Sequence, residues 1–286
     1  MPGLHADGNI EFALYDPQGK KTNLHAPIPA AEVSASTSTC DVRMGGNWAH
    51  GEFPQWQVHF QHEDLGCDLT FRNLTQGVIP PAGGGNFSSE ELPHRYMHWV
   101  VAQPRARVEG EIRIAGKTIA AQGEGYHDHN WGTGGGEVRL GIPLLDALAG
   151  LYDHWYWGKL YLPQHTLIYT VGRGSEGLGH RTLNAFASFR GETLLARSNN
   201  VTLEELDCDT DPETGCRYPR ELVIRPEDPL TKGIITLRLR KFVDSVSFFV
   251  PGHGYLRFLY DCHATLDFPG EKIEFEDTGI HEYMRP

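Results

Sequence analysis

Long apolar runs are missing from this chain. No segment approaches the roughly 18 consecutive apolar residues that cross a bilayer as a helix, so no transmembrane segment is expected. Positive charge is also scarce: 25 Lys and Arg stand against 37 Asp and Glu, for a formal net charge of -12. An acidic surface argues against nucleic acid or an anionic membrane as the main partner. Helical periodicity is nearly absent, with one or two turns over Ile142–Ala149 as the exception. There is no Gly-x-Ser-x-Gly elbow, P-loop or dinucleotide fingerprint, which sets aside serine hydrolysis and nucleotide-dependent chemistry.

The five cysteines, Cys40, Cys67, Cys208, Cys216 and Cys262, are too scattered for a disulfide framework or a zinc ribbon. Cys208 and Cys216 bracket a short acidic loop and could bridge in an oxidising compartment, though free thiols are the favoured reading. The start, Met1–Gly8, lacks a charged region followed by an apolar stretch, so no signal peptide is expected and the chain as given reads as cytoplasmic. The sequons at Asn73, Asn86 and Asn200 suit a secreted protein instead, a reading that an incomplete N-terminus would also allow. Compartment and oligomeric state stay open.

What the chain does have is turn residues and short alternating runs. Its 33 glycines and 18 prolines favour many short strands joined by tight turns. Val108-Glu-Gly-Glu-Ile-Arg-Ile114 and Ile234-Ile-Thr-Leu-Arg-Leu-Arg-Lys241 alternate apolar with polar residues, the mark of antiparallel strands with one face in a core and one in water. The fold class expected is all-β, a sandwich, a large barrel or two barrels. Thr75–Glu91 reads as a loop and Thr133–Gly150 as a second irregular stretch. The expected division is therefore 1–135, an inserted linker at 136–150, and 151–286.

Chemistry-bearing residues concentrate in Gly123-Glu-Gly-Tyr-His-Asp-His-Asn-Trp-Gly132, echoed by His154-Trp-Tyr-Trp-Gly158. On a strand, His127, His129 and Trp131 share one face and Tyr126, Asp128 and Asn130 the other. The first group is expected to face a cavity and the second to support it. Two histidines on one strand raise a metal, but Glu137 is badly spaced as a third ligand, and hydrogen-bonded pocket histidines are the favoured reading. No metal and no cofactor is expected. Asp128 beside two histidines suits a general acid or base, or equally a turn anchor. Trp155 and Trp157 share a face opposite His154 and Tyr156, so one pair faces a cavity and the other the core. Such aromatics are core filler, or walls that hold a polyene and steady a developing cation. The acidic loop Asp207–Gly215 lacks a late bidentate Glu and reads as a hairpin loop in preference to a calcium site. His59, His62, His94 and His98 read as surface or pocket polar residues.

At Gly125-Tyr-His-Asp-His-Asn-Trp-Gly132 the chain resembles the lipocalin-like hydroxyneurosporene synthase family. That family includes carotenoid 1,2-hydratases, kievitone hydratase, AttH-like proteins and fungal lipocalin-like Diels–Alderases. The likeness extends to Trp99-Val-Val-Ala-Gln-Pro104, Val108–Ile112, His154–Gly158 and Thr166-Leu-Ile-Tyr169. It implies two tandem lipocalin-like antiparallel β-barrels, with a ligand in the N-terminal barrel or at the junction. It also implies catalytic roles for the motif residues His129 and Trp131, and for a Tyr of a following strand at Tyr169. His127 and Asp128 complete the expected catalytic group; Tyr126, Asn130, Trp155, Tyr156 and Trp157 are expected to bind substrate. The expected function is cofactor-free hydration of a C=C bond in a hydrophobic isoprenoid or polyketide, with a Diels–Alderase-type cyclase and a non-catalytic lipid or terpenoid binder as alternatives. The expected partner is a hydrophobic small molecule.

Overall fold

The computed structural model describes residues 8–16, 20–81, 87–88, 96–133, 152–247 and 252–285. Ile142–Ala149 and the 136–150 linker lie outside them. The chain is all-β, as its alternation predicts; the helical elements among the described residues are two three-residue 3-10 turns, Ala30–Glu32 and Glu176–Leu178. None is long and apolar enough to cross a membrane.

The strands β1 (Gly8–Tyr15) and β2 (Lys21–Ile28) pair antiparallel. Then come β3 (Val33–Ala35), β4 (Cys40–Met44), β5 (Asn47–Glu52), β6 (Gln55–His62), β7 (Leu65–Asn73), β8 (Phe87–Ser88), β9 (Tyr96–Ile114) and β10 (Lys117–Thr133). They form one sheet in the order β10-β9-β7-β6-β5-β4-β3, with β8 beside β9. The second sheet is built from β11 (Tyr152–Tyr161), β12 (His165–Gly174), β13 (Ala185–Arg190), β14 (Thr193–Ser198), β15 (Val201–Thr210), β16 (Arg217–Asp228), β17 (Thr231–Ser247), β18 (Gly254–Phe268) and β19 (Glu271–Arg285). Its order is β14-β13-β12-β11-β19-β18-β17-β16-β15.

The chain groups into two compact units, residues 1–74 with 105–126, and residues 75–104 with 127–286. The single strand β9 passes straight through Pro104. Proline lacks the N–H for a ladder bond, and Pro104 falls where the strand changes partner: β7 pairing ends at Ala106, while Val101 bridges to Val78.

Within the first unit, register fixes two faces, because directly opposed residues point the same way. One face carries Val42, Ala49, Val58 and Leu69 in one row and Trp56, Phe71 and Val108 in the next. Gly125 lies against Val108 and Phe71, so close that a Cβ there would sit 2.5 Å from Val108. Most of this apolar face is only half-buried; Phe60, stacked on Phe12 at 4.9 Å, is one of its few covered members. The opposite face is polar. There Trp48 stacks between His50 and His59, at 4.3 and 5.6 Å, and His59 shares a 2.6 Å hydrogen bond with Asp68, which also pairs with Arg113.

The second unit packs differently. Its sheet curls around a filled core that includes Tyr156, Leu160, Leu167, Tyr169, Ile224, Leu237, Phe258, Tyr260 and Leu266. The burial pattern of β18, alternating buried with more exposed residues along its length, shows the one-faced strand that its sequence predicts. All five cysteines are free. Cys208 and Cys216 are therefore unbridged, and Cys208 faces Glu205 at 3.8 Å instead. The acidic loop is a hairpin turn: Asp211 accepts hydrogen bonds from the Thr214 N–H, the Thr214 hydroxyl and the Ser245 hydroxyl. Its oxygens are spent on the turn.

Candidate active site

The motif strand enters the second unit at His127, and from there alternation sorts its side chains. Asp128 turns toward β9, where Trp99, itself 4% exposed, donates its indole N–H to the carboxylate at 2.8 Å. His129 and Trp131 project the other way and stack at 5.2 Å. His98 of β9 closes on Trp131 from a second direction, also at 5.2 Å, with Tyr96 next to it at 5.3 Å. Trp131 keeps 42% of its surface exposed, so its ring is accessible to a small molecule. Gly132 permits the strands to approach: a Cβ there would lie 2.2 Å from the Tyr96 carbonyl oxygen.

His127 is more deeply set than His129. Burial holds its imidazole below the usual histidine range and His129 pushes the same way, against the opposing charge of Asp128. It is therefore a neutral base near neutral pH. Asn130 is exposed. Tyr126, half-buried, belongs to the first unit.

The second aromatic cluster divides by face. Tyr156 is core: it stacks on Tyr283 at 4.8 Å and donates its hydroxyl to Glu205 at 2.8 Å. Trp155 packs on Tyr152 at 4.8 Å. Trp157 and Tyr161 lie on the other side of β11 from Tyr156, with the Lys159 ammonium between them at 5.4 and 5.7 Å from the ring centres. Lys159 also feels the charges of Asp128, Glu282 and Arg257, and Arg257 grips Glu282 with two hydrogen bonds of 3.1 and 2.9 Å. Asp128, expected as support, thus stands at one end of a polar network, while Tyr156, expected at the substrate, is sealed in the core.

Tyr169 is sealed as well. Its hydroxyl meets His281 Nδ1 at 2.5 Å, with His281 only 2% exposed. Burial, with Lys159 adding to it, holds His281 down to about 3, so its ring is neutral. Gly158 makes the pairing fit: a Cβ there would lie 2.3 Å from His281 Nδ1 and 2.4 Å from the Tyr169 oxygen. Sequence reading missed Lys159 and His281, and it named His98 only as a surface or pocket polar residue. Lys159 had a signal, since it alternates with Trp157 and Tyr161 on one strand face. His281, 112 residues from Tyr169, had none.

Among the described residues no group of three His, Cys, Asp or Glu side chains comes together in a way that would hold a metal ion.

No protein-family model matches the chain. Among curated proteins, it is 33% identical over 133 residues to the quinolone epoxide rearrangement protein penF of Penicillium thymicola, a match covering 44% of this chain and 32% of that protein. It is also 33% identical over 79 residues to the hydroxyneurosporene dehydrogenase of Chlorobaculum tepidum, covering 26% of this chain and 18% of that one. The matches thus span a third or less of the curated relatives. Among solved structures, an AttH-type protein of Nitrosomonas europaea superposes with a TM-score of 0.62 at 16% identity, covering 96% of this chain and 80% of that one. Kievitone hydratase of Nectria haematococca gives 0.59 at 13%, covering 99% and 85%. CghA with Sch210972 gives 0.62 at 13%, covering 94% and 77%. The chain shares the lipocalin-like fold of these proteins, as its motif implied.

Proposed function

We propose that this protein is a cofactor-free enzyme that hydrates a C=C bond in a hydrophobic isoprenoid or polyketide. The observation that carries the reading is the His98–Trp131–His129 stack, open to solvent on the strand whose other face holds Asp128 against Trp99. A proton donor, a π-surface and a neutral base then occur within five residues. In the proposed step, the alkene π pair takes a proton from His129. The cation that forms at the neighbouring carbon sits over the Trp131 ring, whose quadrupole attracts it. Water adds through its oxygen and gives up a proton to His127, which burial keeps neutral. Asp128, anchored by Trp99, opposes the charge that His127 acquires. A solved neighbour named kievitone hydratase supports the reading of a hydratase.

A second reading is a cyclase, favoured by the fold shared with the CghA–Sch210972 complex; there the same stack would bind a folded polyene and a His donor would polarise a carbonyl. Incubation of the protein with an acyclic carotene in oxygen-18 water separates the readings. Hydration gives a product carrying oxygen-18, and His129→Ala and Trp131→Ala abolish it. A cyclised isomer without added oxygen refutes hydration. Retained binding with no turnover, unchanged in both variants, marks a carrier.

A further inference from the structure

Lys159 is an unusual lysine for a β-strand. Its side chain runs between two aromatic rings, Trp157 and Tyr161, on the face of β11 away from the core. Lysines are almost never deeply buried unless charges compensate them, and here two carboxylates, Asp128 and Glu282, and one guanidinium, Arg257, act on the amine. The second observation lies in the sheet. Pairing between β11 and β19 stops at Gly158 and His281. Beyond that point the strands part, leaving a recess of about 200 Å³ lined by Lys159, Leu160, Tyr161 and residues Asp277, Thr278, Gly279 and Ile280. Lys159 thus has an amine flanked by aromatic rings and acted on by carboxylates, and the same residue lines a small recess, elements from which imine chemistry on a protein is built.

We propose that Lys159 is a carbonyl-binding amine that condenses with an aldehyde or ketone seated in this recess. The Nζ lone pair adds to the carbonyl carbon, and the C=O π pair moves to oxygen to give a carbinolamine. Protonation of that oxygen releases it as water, and the nitrogen lone pair closes the C=N bond. The product is a protonated Schiff base carrying the same single positive charge as the ammonium it replaces, so Asp128 and Glu282 oppose either form equally. Burial lowers the Lys159 amine below the usual lysine range, against Glu282 and Asp128 and together with Arg257, which enlarges the unprotonated fraction able to attack. Each conjugated aldehyde or enone bound this way becomes an iminium, a stronger electrophile than the carbonyl it came from.

This assignment is independent of the hydration reading, since it needs neither His129 nor Trp131. Its test uses the intact chain with benzaldehyde and sodium cyanoborohydride at pH 7, which reduces any imine to a stable secondary amine, followed by peptide mass spectrometry. The expected result is a benzyl adduct at Lys159 formed about ten-fold faster than at Lys272, whose side chain is 69% exposed. Because the comparison is made within the unaltered protein, no variant has to fold for it to be decisive. Lys159→Arg, which keeps the positive charge, should remove this adduct and leave the slow surface labelling unchanged. Labelling that tracks exposure, with Lys159 unmodified or slower than Lys272, would overturn the proposal.

Discussion

A methyl group at Gly158 should cost the protein about 3 kcal/mol, nearly all of it through His281. The alanine Cβ would stand 2.3 Å from His281 Nδ1, 2.4 Å from its Cε1 and 2.4 Å from the Tyr169 oxygen. All are about 1 Å inside ordinary contact, and the site lies in a filled core where neighbours cannot yield freely. Overpacking of this kind costs about 1–3 kcal/mol. Displacing His281 also stretches the hydrogen bond between Tyr169 and His281, leaving two buried polar groups poorly satisfied at about 1–3 kcal/mol. For a unit of this size the combined loss lowers the melting temperature by about 6–12 °C, at about 2–4 °C per kcal/mol. His281→Ala should cost a similar amount, about 3 kcal/mol, through its cavity and the orphaned Tyr169 hydroxyl. The double variant Gly158→Ala/His281→Ala distinguishes this account from a general intolerance of the strand. With the imidazole gone, the methyl group enters vacated space and Tyr169 can move aside, so the second substitution should cost under about 1 kcal/mol. Urea denaturation of the four proteins measures the coupling, expected near 2 kcal/mol. If the two costs add to within about 0.5 kcal/mol, as they do for independent sites, the reasoning is wrong.

His281 also sets a pH dependence. Its folded value of about 3 lies below the ordinary 6.5, so the unfolded chain binds the extra proton between these values; the stabilisation is complete above pH 6.5 and is lost as pH falls toward 3, by up to about 4–5 kcal/mol at 1.4 kcal/mol per unit. His281→Phe should flatten the wild-type stability curve between pH 6 and 4, and unchanged slopes in that window would disprove the assignment. Trp99→Phe removes the indole N–H that Asp128 accepts and should destabilise by about 2 kcal/mol; in an Asp128→Asn background the same change should cost clearly less, as measured by chemical denaturation. Asp68 should titrate below the usual carboxylate range because His59 and Arg113 hydrogen-bond to it, and carbon-13 NMR of Arg113→Ala should show its midpoint rise.

The strand-by-strand alternation around Val108–Ile114 and Ile234–Lys241 made the all-β class readable, because period-two burial follows directly from the pleat. The motif at Gly125–Gly132 carried the lipocalin-like fold. Parity also separated Asp128 from His129 and Trp131 correctly, yet it could not say what each face meets. Trp99 and His98 come from β9, and their approach to the motif depends on strand pairing that no local pattern encodes. Tyr156 shows the same limit: alternation allots it a side with His154, but only the curl of the second sheet makes that side the interior. Pro104 sits inside β9 where the strand passes from its β7 partner to the bridge with Val78, a place where a missing N–H is tolerated.

The second sheet has a seam. In its order β14-β13-β12-β11-β19-β18-β17-β16-β15, every neighbouring pair is consecutive in the chain except β11 and β19. Two meanders, each able to zip up by local turns, are therefore stitched together through only the four registered pairs Trp155–Met284 to Gly158–His281. Short loops lose little entropy on closing, so of all the pairings in this sheet the stitch carries the largest loop-closure cost. Tyr169 and His281 clasp across it. The closure of the second sheet thus rests on one buried side-chain hydrogen bond and a short run of backbone pairing.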